Sequence, residues 1–229
     1  MTESWYSSGN IYINKKKYFM KNMKTIAFAL CLSFVTSVAL AEKRVGLNIA
    51  YHMFEGTGSE TLRQSSAVTN YDESDEVVAP SIFFEVVTDA GVGVGVDYVP
   101  VAEIGSGVGA DDDDAETSGK NNVSAEFSAH MTLYAIAEGS NGFYGKLGYV
   151  VADIDTTENL STGDSYPDTD TTGLMIAVGK NFTTVNDLTI RGDLSYTDYQ
   201  SVSIKSTGGS TVKADVESMA ATISIVKPF

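Results

Sequence analysis

His52 and His130 are the only histidines of the chain. Ser128 and Glu126 precede His130 at two-residue steps, and residues at i and i+2 of an extended strand share a face. A hydroxyl, an imidazole and a carboxylate on one face are the parts of a Ser–His–Glu hydrolase, provided the acid orients the base and the base touches the nucleophile. A second set, Glu85, Asp97, Glu126, Lys146, Arg191 and Asp193, with Asn48 beside them, lies within otherwise apolar segments. Charges of opposite sign in such places either pair with one another or line a hydrated path. The third set is carboxylates alone: Asp111, Asp112, Asp113 and Asp114 with Glu116, and Asp72, Glu73, Asp75 and Glu76. Carboxylate clusters suit Ca²⁺ or Mg²⁺, but the spacing is not that of an EF-hand, and solvated loops are the simpler reading. Gly105-Ser106-Gly107-Val108-Gly109-Ala110 imitates a dinucleotide fingerprint. No helical pattern follows it, and the aspartates after it repel phosphate, so no cofactor is expected.

The elements that carry these residues have a hydrophobic period of two. Over 123–135, Val123, Ala125, Phe127, Ala129, Met131, Leu133 and Ala135 fall on one face and Ser124, Glu126, Ser128, His130, Thr132 and Tyr134 on the other. Such alternation predicts a strand long enough to cross a bilayer at a tilt. The pattern recurs at 44–54, 77–88, 91–104, 143–154, 172–182, 188–204 and 214–229, which makes eight strands. Connections at 89–90, 139–141 and 185–187 are short and turn-forming, whereas 55–76, 105–121, 155–171 and 206–213 read as long polar loops. A meander of this kind puts the short turns and both ends of the domain at one rim and the four long loops at the other. The fold class is therefore all-β, an eight-stranded antiparallel transmembrane up-and-down β-barrel. A soluble barrel of lipocalin type uses the same alternation with the apolar faces turned inward and is the competing fold. Mid-strand charges, long segments and a terminal Phe229 favour lipid outside. Tyr51, Tyr98, Tyr149, Phe182 and Tyr196 are then candidates for aromatic girdles.

The 229-residue chain has 30 acidic and 15 basic side chains, a formal charge of −15 and one Cys. So acidic a surface repels a phosphate backbone, which excludes nucleic acid as a partner. A lone Cys excludes a disulfide framework. Lys21 and Lys24 precede the apolar run 26–35, and Ala39-Leu40-Ala41 closes it. This order predicts a signal peptide over 23–41, cleaved after Ala41, with 1–22 an upstream extension from a misassigned start and 42–229 the barrel domain. Five lysines and a single acid leave with the leader, so the exported product is more acidic than its precursor.

Two stretches carry a family resemblance: Gly173-Leu-Met-Ile-Ala-Val-Gly179 with Asn181-Phe-Thr-Thr-Val-Asn-Asp187-Leu-Thr-Ile-Arg191-Gly-Asp-Leu-Ser-Tyr196-Thr-Asp198-Tyr199, and Phe143-Tyr-Gly-Lys-Leu-Gly-Tyr149. The first resembles the penultimate hairpin, and the second the fifth strand, of the opacity-type and OmpA-like small outer-membrane barrels. Lys227 and Pro228 depart from the usual apolar ending. The resemblance implies a Gram-negative outer membrane, with lipid and lipopolysaccharide around the barrel and the barrel-assembly machinery as partner during insertion. Divalent cations at the acidic loops are a further candidate partner. In this frame Glu85, Asp97, Glu126, His130, Lys146, Arg191 and Asp193 form a charge network in a lumen that eight strands leave only wide enough for side chains. The expected role is structural or adhesive. The alternatives are a narrow porin-like pore and a lipid-modifying outer-membrane enzyme.

Overall fold

The computed structural model describes residues 41–62, 66–111, 120–160, 165–183 and 187–229. The upstream extension expected over 1–22, the signal peptide expected over 23–41 (Ala41 apart) and the acids Asp112, Asp113, Asp114 and Glu116 lie outside the described residues. The strands are β1 (Glu42–Thr61), β2 (Val68–Val87), β3 (Val92–Val99), β4 (Ala102–Asp111), β5 (Lys120–Glu138), β6 (Phe143–Asn159), β7 (Thr169–Thr183), β8 (Thr189–Tyr199), β9 (Val202–Lys205) and β10 (Thr211–Pro228). They pair antiparallel in the order β1-β2-β3-β5-β6-β7-β8-β10, and β10 pairs back onto β1, from Arg44 opposite Pro228 to Thr61 opposite Thr211. Eight strands therefore close into an up-and-down barrel. β4 continues the wall of β3 along β5, and β9 continues that of β8 along β10.

Both interruptions split what alternation alone predicts as single strands over 91–104 and 188–204. Pro100 ends β3 because it has no N–H to give the ladder. β8 and β9 are offset by one residue along β10: Asp198 faces Glu217 and Val202 faces Ala214, so 199–201 stand opposite only two residues. A larger difference concerns the long loops. Most of 55–76 is strand, since β1 runs to Thr61 and β2 begins at Val68, and 155–159 and 169–171 likewise extend β6 and β7. Alternation fades there because both faces of the sheet are wet, while the backbone ladder continues regardless of side chain. Asp72, Glu73, Asp75 and Glu76 accordingly stand exposed on β2.

At the opposite rim the turns are tight. Gly91 at φ 78° and Gly142 at φ 82° end two of them, each bonding back three residues, to Thr88 O at 2.8 Å and Gly139 O at 2.9 Å. This is a turn followed by a left-handed residue, a conformation glycine adopts without cost.

Side chains alternate along the ring. Val45, Leu47, Ile49, Tyr51 and Met53 of β1, Leu174, Ile176 and Val178 of β7, and Met219, Ile223 and Ile225 of β10 point outward and are exposed. The inward positions divide into two layers. Toward the tight turns, charges are packed among Phe83, Val87, Tyr134, Ile136 and Tyr144; toward the loop rim, Phe54, Phe127, Val150, Ala152 and Tyr199 form an aromatic cluster.

Candidate functional site

The lumen gathers its charges because every second residue of each strand faces it, and there Glu85, Arg191 and Asp193 are buried. Arg191 of β8 grips Glu85 of β2 with two parallel bonds, Nη2 to Oε1 at 2.8 Å and Nη1 to Oε2 at 3.1 Å. Glu85 is 0% exposed and Arg191 1%. Arg44 approaches the same carboxylate at 3.3 Å and binds Glu138 at 2.7 Å, and Tyr134 donates to Glu85 at 3.0 Å. Asn181 accepts from Arg191 Nε at 2.8 Å and donates to Glu138 at 3.1 Å. A second knot joins Lys146 Nζ and Tyr144 OH to Asp193 Oδ2, at 3.0 and 2.6 Å. The Lys146 ammonium also lies 5.1 and 5.2 Å from the ring centroids of Tyr134 and Tyr144, within cation–π range. Asp97 accepts from Asn48, whose amide also reaches Ser81 at 2.9 Å.

Two glycines make this packing possible. Gly95 lies opposite Tyr134, and Gly179 opposite Tyr144. A Cβ on either would enter the ring of its partner, so the missing side chains are the slots in which the tyrosines lie flat on their way to Glu85 and Asp193. Gly179→Val is expected to cost about 1–3 kcal/mol as an overpacked core position. Gly145→Ala, where the nearest atom to a new Cβ is 3.7 Å away, should be neutral, and urea unfolding in detergent compares the two.

Of the residues singled out from the sequence, Glu85, Asp97, Lys146, Arg191 and Asp193 face this lumen. Glu126 does not. Phe127 pairs with Ile154 and Ala129 with Asp153, which leaves Ser128 as an extra residue in a β-bulge. The bulge reverses the parity of the residues just before it, so Phe127 is buried and Glu126 exposed. That dismantles the Ser–His–Glu reading. The His130 ring bonds Tyr199 OH at 3.0 Å, and His52 approaches Ser218 at 3.3 Å. Both imidazoles stand in the aromatic layer, where His52 stacks on Phe54 at 5.5 Å and Phe127 stacks on Tyr199 at 5.8 Å. Between them remains a void of about 10 Å³ lined by His52, Phe54, Phe127, His130 and Tyr199, at the lower limit for one water. The structure adds Arg44, Glu138, Asn181, Tyr134 and Tyr144 to the network. Their parity was the available signal: Arg44 is in step with Asn48, and Glu138 with Tyr134.

On the outer face, Tyr51, Tyr98 and Tyr196 are exposed toward the loop rim, where Tyr51 pairs with Glu76 and Tyr196 donates to Glu217 at 2.5 Å. Phe182 instead belongs to the turn rim, where Lys180 lies over its ring and that of Phe143, at 5.6 and 4.7 Å. Tyr149 is half-buried within the belt. Among the described residues, no group of three His, Cys, Asp or Glu side chains is placed to hold a metal ion.

No protein-family model matches the chain, and no curated protein matches it. Among solved structures it is similar to the outer membrane protein OprG from Pseudomonas aeruginosa, with a TM-score of 0.56 and 15% identity, over 82% of this chain and 96% of that one. Likeness is lower to Ail of Yersinia pestis, with a TM-score of 0.41 and 13% identity over 80% of this chain and 99% of that one. It is similar in degree to the outer membrane protease OmpT from Escherichia coli, at 0.41 and 8% over 81% and 97%. The likeness to OprG shows a shared barrel fold; the other two carry no argument.

Proposed function

We propose that the barrel spans the outer membrane as a closed, plugged cylinder with a structural or surface role, stabilising the envelope or presenting its loop rim to surfaces, in the manner of the opacity-type and OmpA-like barrels. The observation that carries this reading is the outer belt. On β1 five apolar outward residues, 45–53, lie between Lys43 and Glu55, and on β10 Met219, Ala221, Ile223 and Ile225 lie between Glu217 and Lys227. A span of nine or so residues in a tilted strand matches the hydrocarbon thickness. Tyrosines and carboxylates border the belt toward the loops, and lysines border it toward the turns. Side chains this apolar and this exposed need an apolar solvent, which lipid supplies.

The ladders at the loop rim project beyond the belt and are knitted together, with Tyr166 OH donating to Glu60 at 2.8 Å and Thr207 N to Ser165 O at 2.9 Å. The proposed surroundings are outer-membrane lipid and lipopolysaccharide, reached through the barrel-assembly machinery, and divalent cations would bridge lipid phosphates to the acidic loop rim. The filled lumen argues against a pore. Protein reconstituted in a planar bilayer is expected to give no conductance above that of the bare lipid, and steady ohmic steps would overturn the plugged reading. The displacement of Glu126 and the pairing of His130 with Tyr199 argue against a hydrolase.

A further inference from the structure

The charged layer of the lumen holds three bases, Arg44, Lys146 and Arg191, against four acids, Glu85, Asp97, Glu138 and Asp193. Glu42, which also meets Arg44, is half-exposed at the mouth and is solvated from outside. Glu85, Glu138 and Asp193 each have a base within 4 Å; among the described residues Asp97 has none. Its hydrogen-bond partners are the amide of Asn48 and the hydroxyl of Ser81, and the Lys146 charge that also reaches it is bound to Asp193 at 3.0 Å. One negative charge is left over on a half-buried side chain, where a carboxylate without a counter-charge is unfavourable.

A second observation falls on the same amide. Asn48 spends its Nδ2 on Ser81 and Asp97, so its Oδ1 turns away from them, and that oxygen is buried with no hydrogen-bond partner among the described residues. Ser224 of β10 pairs in register with Asn48, and its hydroxyl is orphaned in the same way. The two residues are 6% and 2% exposed, and buried polar atoms without partners are exceptions that call for an occupant. A water would satisfy the hydrogen bonds and leave the charge; a cation satisfies both.

We propose that the lumen holds one small monovalent cation of the sodium class, bound by Asn48 Oδ1 and Ser224 Oγ with Asp97 as its counter-charge. Neutral oxygen donors suit a hard cation. The excess of a single charge, with no group of three His, Cys, Asp or Glu side chains placed to hold a metal among the described residues, favours a monovalent ion over Ca²⁺ or Mg²⁺. Neither the membrane location nor a surface role enters this argument, so its failure would leave them standing.

The test is urea unfolding of the folded chain in detergent at constant ionic strength, with NaCl exchanged stepwise for choline chloride. Cation binding to the folded state alone raises the folded-to-unfolded ratio, approaching about tenfold per tenfold step of Na⁺ above the dissociation constant. Asp97→Asn and Ser224→Ala are each expected to flatten that dependence, Ser224→Ala being the milder change should Asp97→Asn fail to fold. Identical stability in the two salts would overturn the site, since a proton on Asp97 or a bridging water would then suffice. A sodium response equal in wild type and both variants would also overturn it, by placing the effect elsewhere.

Discussion

Arg191→Ala is expected to destabilise the barrel by about 3–5 kcal/mol, the usual cost of removing one partner from a buried pair. Glu85 would keep its place at 0% exposure and lose the two bonds, at 2.8 and 3.1 Å, that account for most of its compensation. Arg44 cannot replace them, because it stands 3.3 Å from Glu85 and is already committed to Glu138 at 2.7 Å. Asn181 would lose the donor to its Oδ1 as well. By contrast Asp72→Asn, on the exposed stretch of β2, should stay within about 0.5 kcal/mol, as surface substitutions do. Urea titrations in detergent, or the temperature at which the folded band is lost on gels, compare the two. Equal losses would mean that the lumen charges are hydrated and that the interior is not the dry plug described.

Ile49→Arg tests whether the outward apolar face meets lipid or water. Ile49 is 64% exposed at the middle of the outward run of β1, opposite Pro80 and Ile223 on its neighbours. In a bilayer an arginine there is expected to cost about 2–4 kcal/mol, the depth-dependent penalty at the midplane of an outer-membrane barrel. If this outward face met water instead, a position so exposed would accept the charge almost freely. Folding into lipid vesicles measures the difference, with Thr57→Arg, outward on β1 beyond the belt, as the comparison expected to lose little.

The alternation of β1, β2, β3, β5, β6, β7, β8 and β10 was legible because a barrel with unlike solvents on its two faces imposes a period of two on every strand. The same rule placed Glu85, Asp97, Lys146, Arg191 and Asp193 on one face without any knowledge of contacts. What escaped the pattern did so for separate physical reasons. The ladders of β1 and β2 run past residue 54 into water, where side chains no longer report the pleat. Ser128 inserts one residue into β5, and no composition signal marks a bulge, so alternation alone puts Glu126 on the wrong face. Arg44 and Glu138 lie near strand ends beside turn residues, where a charge looks like a solvated rim rather than a member of a network. The roles of Gly95 and Gly179 depend on cross-strand register, which fixes Tyr134 and Tyr144 above them and cannot be read from one strand at a time.

The central claim is that the exposed apolar belt lies in lipid. Fractionation of expressing cells, with the membrane fraction run on gels before and after heating, tests it most directly. The account predicts that the protein is found in the outer membrane and that its unheated form migrates faster than its heated form, as a closed barrel that resists detergent does. Recovery as a soluble periplasmic protein with a single mobility would contradict it.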